Sequence, residues 1–136
     1  MSGKLSRSQA RCEAFKLIFE LNQHKDDVDF LFDNLLNEIP ASAEAMPYIK
    51  EVVLGVMDKE DELCGIISAN LADRWKIERI SKVARAVLML AIYEMKYVED
   101  VPDKVAINEA VELAKKFDEP DSSSFVNGVL ASVVRQ

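Results

Sequence analysis

The sequence predicts an all-α fold of two small packed helical bundles, residues 1–75 and 76–136, joined as one compact unit. Three observations carry this expectation. Apolar residues recur at helical spacing in segment after segment, and no stretch alternates with a period of two long enough for a strand. Glycine and proline are scarce, four of each, and Pro40, Pro47, Pro102 and Pro120 fall between or just before periodic segments, where proline is tolerated. With 49% of 136 residues apolar and 30% charged, the chain can fill a core, but either half alone is short for stability.

The first helix is expected from about Ser8 to Gln23, with Ala10, Ala14, Leu17, Ile18 and Leu21 in one stripe. A second runs from about Asp27, placed as its cap, to Glu38 and turns Val28, Leu31, Phe32, Leu35 and Leu36 inward. A third begins near Ser42 and continues into the seventies through Ile49, Val52, Val53, Val56, Leu63, Ile66 and Ile67. That is long for a globular helix, so a bend is expected near Gly55 or Gly65. A fourth, from about Ile77 to Val98, is apolar around most of its circumference and reads as the central, most buried element. After Pro102 a fifth helix spans about Lys104 to Phe117, with Ile107, Ala110, Val111 and Ala114 facing in. Asp121 and the serines after it open a sixth, with Val126, Val129, Leu130 and Val133 inside.

Composition excludes several functions. Seventeen Lys and Arg against 24 Asp and Glu give a net charge of −7, which argues against coating nucleic acid with the whole surface but leaves room for a local basic patch. The longest uncharged apolar run, Ala86 to Tyr93, is far short of the ~20 residues a membrane span needs. The first seven residues lack the apolar core of a signal peptide, and Cys12 and Cys64 show neither metal spacing nor a disulfide framework. A reducing, cytoplasmic setting without a membrane partner is expected. His24 is the single histidine, so no multi-histidine metal site can form, and on one helix it would lie roughly 18 Å from Cys12, too far for a thiol–imidazole pair. Isolated glycines build no phosphate loop, so no cofactor is expected. The many carboxylates read as solvated helix faces, and nothing gives a pair of them a catalytic pocket. The sequence therefore does not read as an enzyme.

Charge is distributed unevenly. Residues 1–16 carry Lys4, Arg7, Arg11 and Lys16 against Glu13; residues 17–62 carry three lysines against twelve acids; residues 73–85 carry Arg74, Lys76, Arg79, Lys82 and Arg85 against Asp73 and Glu78. If the first helix packs near the start of the fourth, the two positive segments join into a patch suited to a short polyanion. Otherwise they are ordinary solvated faces. Phe19 lies about 200° around the helix from Leu17, opposite the core stripe, so it either meets a second element or serves a partner. Phe125 sits at the edge of the last helix's stripe within its first turn, where free N–H groups favour phosphate and a ring can stack a base, unless it simply packs inward. Lys115 and Lys116 approach the same corner. Glu94 falls inside the apolar arc of the central helix and must be paired; it reads as a pin between the fourth and fifth helices, with Arg79, Arg85 or Asn108 as partner. Asn108 and Asn127, on the flanks of their stripes, read as amides satisfying a neighbouring loop.

The stretch Val105-Ala106-Ile107-Asn108-Glu109-Ala110-Val111-Glu112-Leu113-Ala114-Lys115-Lys116-Phe117 resembles a signature of the bacterial NusB family of transcription antitermination factors, as does Phe125-Val126-Asn127-Gly128-Val129-Leu130. Ala10-Arg11 and Ala86 through Met95 add to the likeness, which spans almost the whole chain. The resemblance implies an all-helical, non-enzymatic RNA-binding protein that pairs with NusE, a small-subunit ribosomal protein. With other Nus factors such a pair binds boxA of nascent RNA and helps the RNA polymerase elongation complex resist termination on ribosomal RNA operons. Carried over by position, Lys4, Arg7 and Arg11 would contact RNA; Phe125, with Asp121 and neighbouring serines such as Ser124, would form a second part of that site. Phe19 and Glu78 would face NusE, and the same surface is open to self-association in the free protein. Departures are an N-terminal arm interrupted by Ser2, Gly3, Ser6 and Ser8, Ala84 where members commonly have an acid, and Met89 where they commonly have arginine.

Two other readings stand beside this one. A NusB-like domain also precedes the catalytic domain of some ribosomal RNA methyltransferases, and the acidic balance would suit a helical interaction module without RNA affinity.

Overall fold

A computed structural model describes residues 3–72 and 75–135. Among these, seven α-helices occur and no strand: α1 (Arg7–Gln23), α2 (Val28–Glu38), α3 (Met46–Asp58), α4 (Glu60–Ala69), α5 (Lys82–Tyr97), α6 (Asp103–Phe117) and α7 (Ser122–Val134). Short 3-10 turns at Pro40–Ser42 and Ile77–Arg79 precede α3 and α5.

Side-chain caps set several of the starts. Ser6 and Gln9 form a capping box, each side chain bonding the other's backbone N–H, so α1 begins one residue before Ser8. The Asp27 carboxylate accepts from the N–H groups of Asp29 and Phe30 and starts α2. Asp121 occupies the cap position of α7, but its side chain makes no capping hydrogen bond.

The expected third helix is two helices. The chain leaves helical geometry at Lys59 (φ −102°, ψ 19°), not at either glycine. Glu60, Asp61 and Glu62 then fill the first turn of α4, where carboxylates offset the exposed N–H ends of a new helix. Gly55 lies inside α3 for another reason: a β-carbon there would sit 2.2 Å from the Tyr93 ring of α5. The glycine lets two helices approach. Gly65 in α4 has nothing within 4 Å of such a carbon. Gly55→Ala should therefore destabilise, because overpacking costs about 1–3 kcal/mol against a gain of about 1 kcal/mol in helix propensity. Gly65→Ala should stabilise by about 0.5–1 kcal/mol. Urea unfolding of both variants checks the opposite signs.

The expected fourth helix also starts later. Ile80 and Ser81 are extended, and the Ser81 hydroxyl accepts from the Ala84 N–H at 2.9 Å, so α5 begins at Lys82. Every residue from Ala86 to Glu94 is buried. Helices α1, α3 and α4 pack against α5, as do α6 and α7. One apolar core, from Ala10 to Leu130, runs through the chain on both sides of residue 75. The central position expected for this helix is the one it holds.

Candidate nucleic-acid interface

The polar centre of the molecule lies where α1, α3, α5 and α6 meet. Arg11 of α1 is 4% exposed and Glu94 of α5 is fully buried. Arg11 Nε donates to Glu94 Oε1 at 2.7 Å, and Nη2 to Oε2 at 3.0 Å, a two-pronged match of guanidinium to carboxylate. The third nitrogen, Nη1, donates to Glu109 Oε1 of α6 at 2.5 Å. Tyr48 of α3 donates its hydroxyl to Glu94 Oε2 at 3.0 Å. Burial opposes the charge on Arg11, but the hydrogen bonds and charge of Glu94 hold the guanidinium even more firmly protonated than usual.

This arrangement corrects two expectations. Glu94 is pinned, but by Arg11 and Tyr48, which joins α5 to α1 and α3 rather than to α6 directly. Arg79 and Asn108 are exposed, and Arg85 turns to the Cys64 sulfur at 3.5 Å. Arg11 itself is 4% exposed and gives three of its five N–H groups to Glu94 and Glu109, so it presents little charge to the surface.

Burial, followed by the Glu94 charge, pushes the Tyr48 hydroxyl well above its ordinary range. The fold thus favours the neutral phenol. This stabilisation is intact below the unfolded value near 10 and disappears as pH rises past it. Tyr48→Phe should flatten that alkaline loss, while costing about 1.5–3 kcal/mol at neutral pH because Glu94 loses a donor. Denaturant midpoints between pH 7 and 11 would show both effects.

A cleft of about 410 Å³ opens above the pin between α1 and α6, lined by Ser8, Lys16, Glu109, Glu112 and Lys116 among others. Ser8 donates to Glu109. Outside the cleft lining, Lys4 lies 3.8 Å from Glu44, both exposed, and Arg7 lies 4.3 Å over the Tyr48 ring. Lys16 and Lys116 flank the Phe117 ring at 6.0 and 5.3 Å. Lys115 is exposed and partly engaged by Glu112 at 3.4 Å.

Phe125 lines a separate cavity; it is half-buried and meets Trp75 at 5.6 Å between ring centres. Asp121 and Ser124 are exposed beside it. Asp118 accepts from the Ser81 hydroxyl at 2.5 Å and from the Glu119 N–H. Burial alone would raise its carboxyl, yet these neighbours and the Ser122 hydroxyl hold it below its usual range. Phe19 is half-buried beside Phe15, Val83 and Phe117, so it packs against a second element and still shows an edge. Glu78 is exposed in the turn before α5.

Joining of the two positive segments therefore takes an unexpected form. Phe15, Lys16 and Phe19 meet Val83 at the start of α5, while Arg11 reaches Glu94 near its end. Lys4 and Arg7 lie beyond Arg11, away from residues 75–85. Within the cleft, Lys16 and Lys116 stand beside Glu13, Glu109 and Glu112, and Lys16 lies 3.4 Å from Glu13. Arg74 of the second segment lies outside the described residues. Asn108 and Asn127 are exposed, and neither amide holds a neighbouring loop among the described residues.

Tyr48, Glu109 and Trp75 also belong to this region, and the sequence pattern does not mark them. Tyr48 and Glu109 act through neighbours distant in the chain, which no periodicity discloses. Trp75, a lone tryptophan in a polar loop, was a signal available to be read.

Among the described residues no cluster of His, Cys, Asp or Glu could hold a metal ion, and no helix is long and apolar enough to cross a membrane. What this region offers is charge, hydroxyls and aromatic faces in an otherwise acidic surface, which suits a phosphate chain with unpaired bases.

A family model described as the NusB family matches residues 8–135. The chain is 39% identical over 129 residues to the transcription antitermination protein NusB of Geobacillus kaustophilus, covering 95% of each chain. It is 43% identical over 131 residues to that of Acetivibrio thermocellus, covering 96% of this chain and 90% of the relative. Among solved structures it is similar to T. maritima NusB, with a TM-score of 0.81 and 31% identity over 98% of this chain and 93% of the other. It is also similar to a chain from a complex of antitermination factors NusB and NusE with dsRNA, with a TM-score of 0.81 and 25% identity over 95% and 96%. With the match running through both α1 and the α6–α7 corner, this chain belongs to the NusB family.

Proposed function

We propose that the protein is an RNA-binding transcription antitermination factor that works by binding alone, joining NusE on boxA of nascent ribosomal RNA so that RNA polymerase resists termination. The observation that carries this reading is the set of exposed cations on and before α1 and at the end of α6, Lys4, Arg7, Lys115 and Lys116, on a chain of net charge −7. A negative surface repels bulk nucleic acid, and local cations reward a short segment laid against them.

In this reading Lys4, Arg7, Lys115 and Lys116 take phosphates, while Phe125, Asp121 and Ser124 address bases. Phe19 and Glu78, near the start of α5, serve NusE. Arg11 supports this surface from inside. The interrupted N-terminal arm makes the partner's added surface important, and the setting is the cytoplasm, where RNA is transcribed.

The test is a fluorescence-anisotropy titration of labelled boxA RNA, a scrambled RNA of equal length and a duplex of equal charge, each with and without NusE. Tighter binding of boxA than of the scramble, strengthened by NusE, is the expected result. Equal binding of all three RNAs would reduce the protein to a nonspecific polyanion binder, and no binding would leave only a protein-interaction module.

A further inference from the structure

Trp75 has no role in the function just proposed, yet its placement calls for one. It is the chain's single tryptophan, and it is 41% exposed at the mouth of a cavity of about 330 Å³ shared with Arg79, Ser81, Asp118, Asp121 and Phe125. A large ring held half in water forgoes much of the stabilisation that burial would bring.

The ring geometry restricts what the cavity can take. Trp75 and Phe125 lie 5.6 Å apart with their planes inclined at 55°. A flat group sandwiched between two rings needs roughly 3.5 Å on each side, about 7 Å in all, so nothing stacks between them. Phe125, half-buried and packed against the core, instead supports the indole from behind. The free face of the indole is the surface on offer.

The polar groups at the rim select among occupants. Arg79 is exposed there and has no ion pair among the described residues. Glu119 and Asp121 are also exposed and line the same cavity. Carboxylates there disfavour a phosphate but accept N–H groups, such as a base's exocyclic amine, while the guanidinium suits the phosphate that follows. The cavity adjoins the end of α6, where Lys115 and Lys116 are exposed. A nucleotide satisfies the ring, the acids and the cation together; an apolar peptide side chain satisfies only the ring.

We propose that Trp75 is a stacking platform for one unpaired nucleobase of bound RNA, supported by Phe125, with Arg79 on the adjoining phosphate. The proposal rests on the RNA-binding reading above and gives the second part of that site its contact surface.

Because no other tryptophan is present, its emission reports on this spot alone. Labelled boxA RNA is titrated into the full chain with NusE (a tryptophan-free version if NusE carries any), following anisotropy and tryptophan emission together. Emission should change in step with anisotropy. Trp75→Leu should weaken binding on the order of tenfold and Trp75→Phe much less, and replacing one boxA nucleotide by an abasic unit should weaken wild-type binding to match. Circular dichroism melts of each variant show whether the fold is kept; should Trp75→Leu unfold, the abasic RNA on wild-type protein and Trp75→Phe carry the test. Anisotropy that saturates while emission stays constant, with every single-abasic RNA binding as tightly as boxA, overturns the platform and leaves the RNA-binding reading intact. No RNA binding at low salt removes both. Trp75→Leu that loses NusE capture without RNA, but binds RNA normally, reassigns the ring to a protein contact and also overturns the platform.

Discussion

Glu94→Ala is expected to cost about 3–5 kcal/mol of unfolding free energy, because it strands the Arg11 guanidinium, 4% exposed, without its two-pronged partner. Against the 5–15 kcal/mol that holds a typical domain together, this is a large share. Arg11→Met should be comparably damaging, leaving Glu94 with only the Tyr48 hydroxyl. The double variant Arg11→Met with Glu94→Leu should lose far less than the sum, since both charges leave the interior together and apolar side chains of similar length replace them. Urea titrations of Arg11→Met, Glu94→Leu and the double give the cycle. A loss under about 1 kcal/mol for Glu94→Ala would show that the pair is not the buried, dry contact described here. RNA binding lost in Arg11→Ala would therefore reflect a weakened fold, and Arg7→Ala is the substitution that probes a surface contact at that end.

Raising salt from 50 to 200 mM is expected to weaken RNA binding by the chain alone roughly 50-fold. Single-stranded RNA gives a slope of about −0.7 in log affinity against log salt for each phosphate neutralised, and Lys4, Arg7, Lys115 and Lys116 together supply about −3. Arg7→Ala or Lys116→Ala should each make the slope shallower by about 0.7. Lys115→Ala should do less, because Glu112 already lies 3.4 Å from its ammonium. Affinity independent of salt would mean that these cations do not hold the backbone.

The helices were legible wherever the signal is local. The stripe of α1, the Asp27 cap, the buried circumference of α5 and the stop at Phe117 all follow from spacing and capping chemistry. Breaks were legible only in part. Glycine suggested the bend in the third segment, but the acids at positions 60–62 decided it, and Gly55 answers to Tyr93, a residue far along the chain. The site divided in the same way. A carboxylate at 94 requires a partner, but spacing points only to Arg79, Arg85 and Asn108, near α5 and α6, because the crossing of α1 over α5 has no local signature. Arg11 read as a surface cation for the same reason: charge announces a residue type, and only tertiary packing tells which side of the helix it serves. The part of the site carried by Trp75 was visible as composition and became meaningful only beside Phe125.

One side chain, Arg11, spans the seam between the two walls of the α1–α6 cleft while gripping the middle of the molecule. Spreading those walls would mean pulling Glu109 off the buried Arg11 guanidinium, so the cleft has little freedom to breathe. A strand arriving there meets a rail already at its working width. Encounter should then be governed by diffusion and by attraction close to the exposed lysines, with little time lost to rearrangement of the protein.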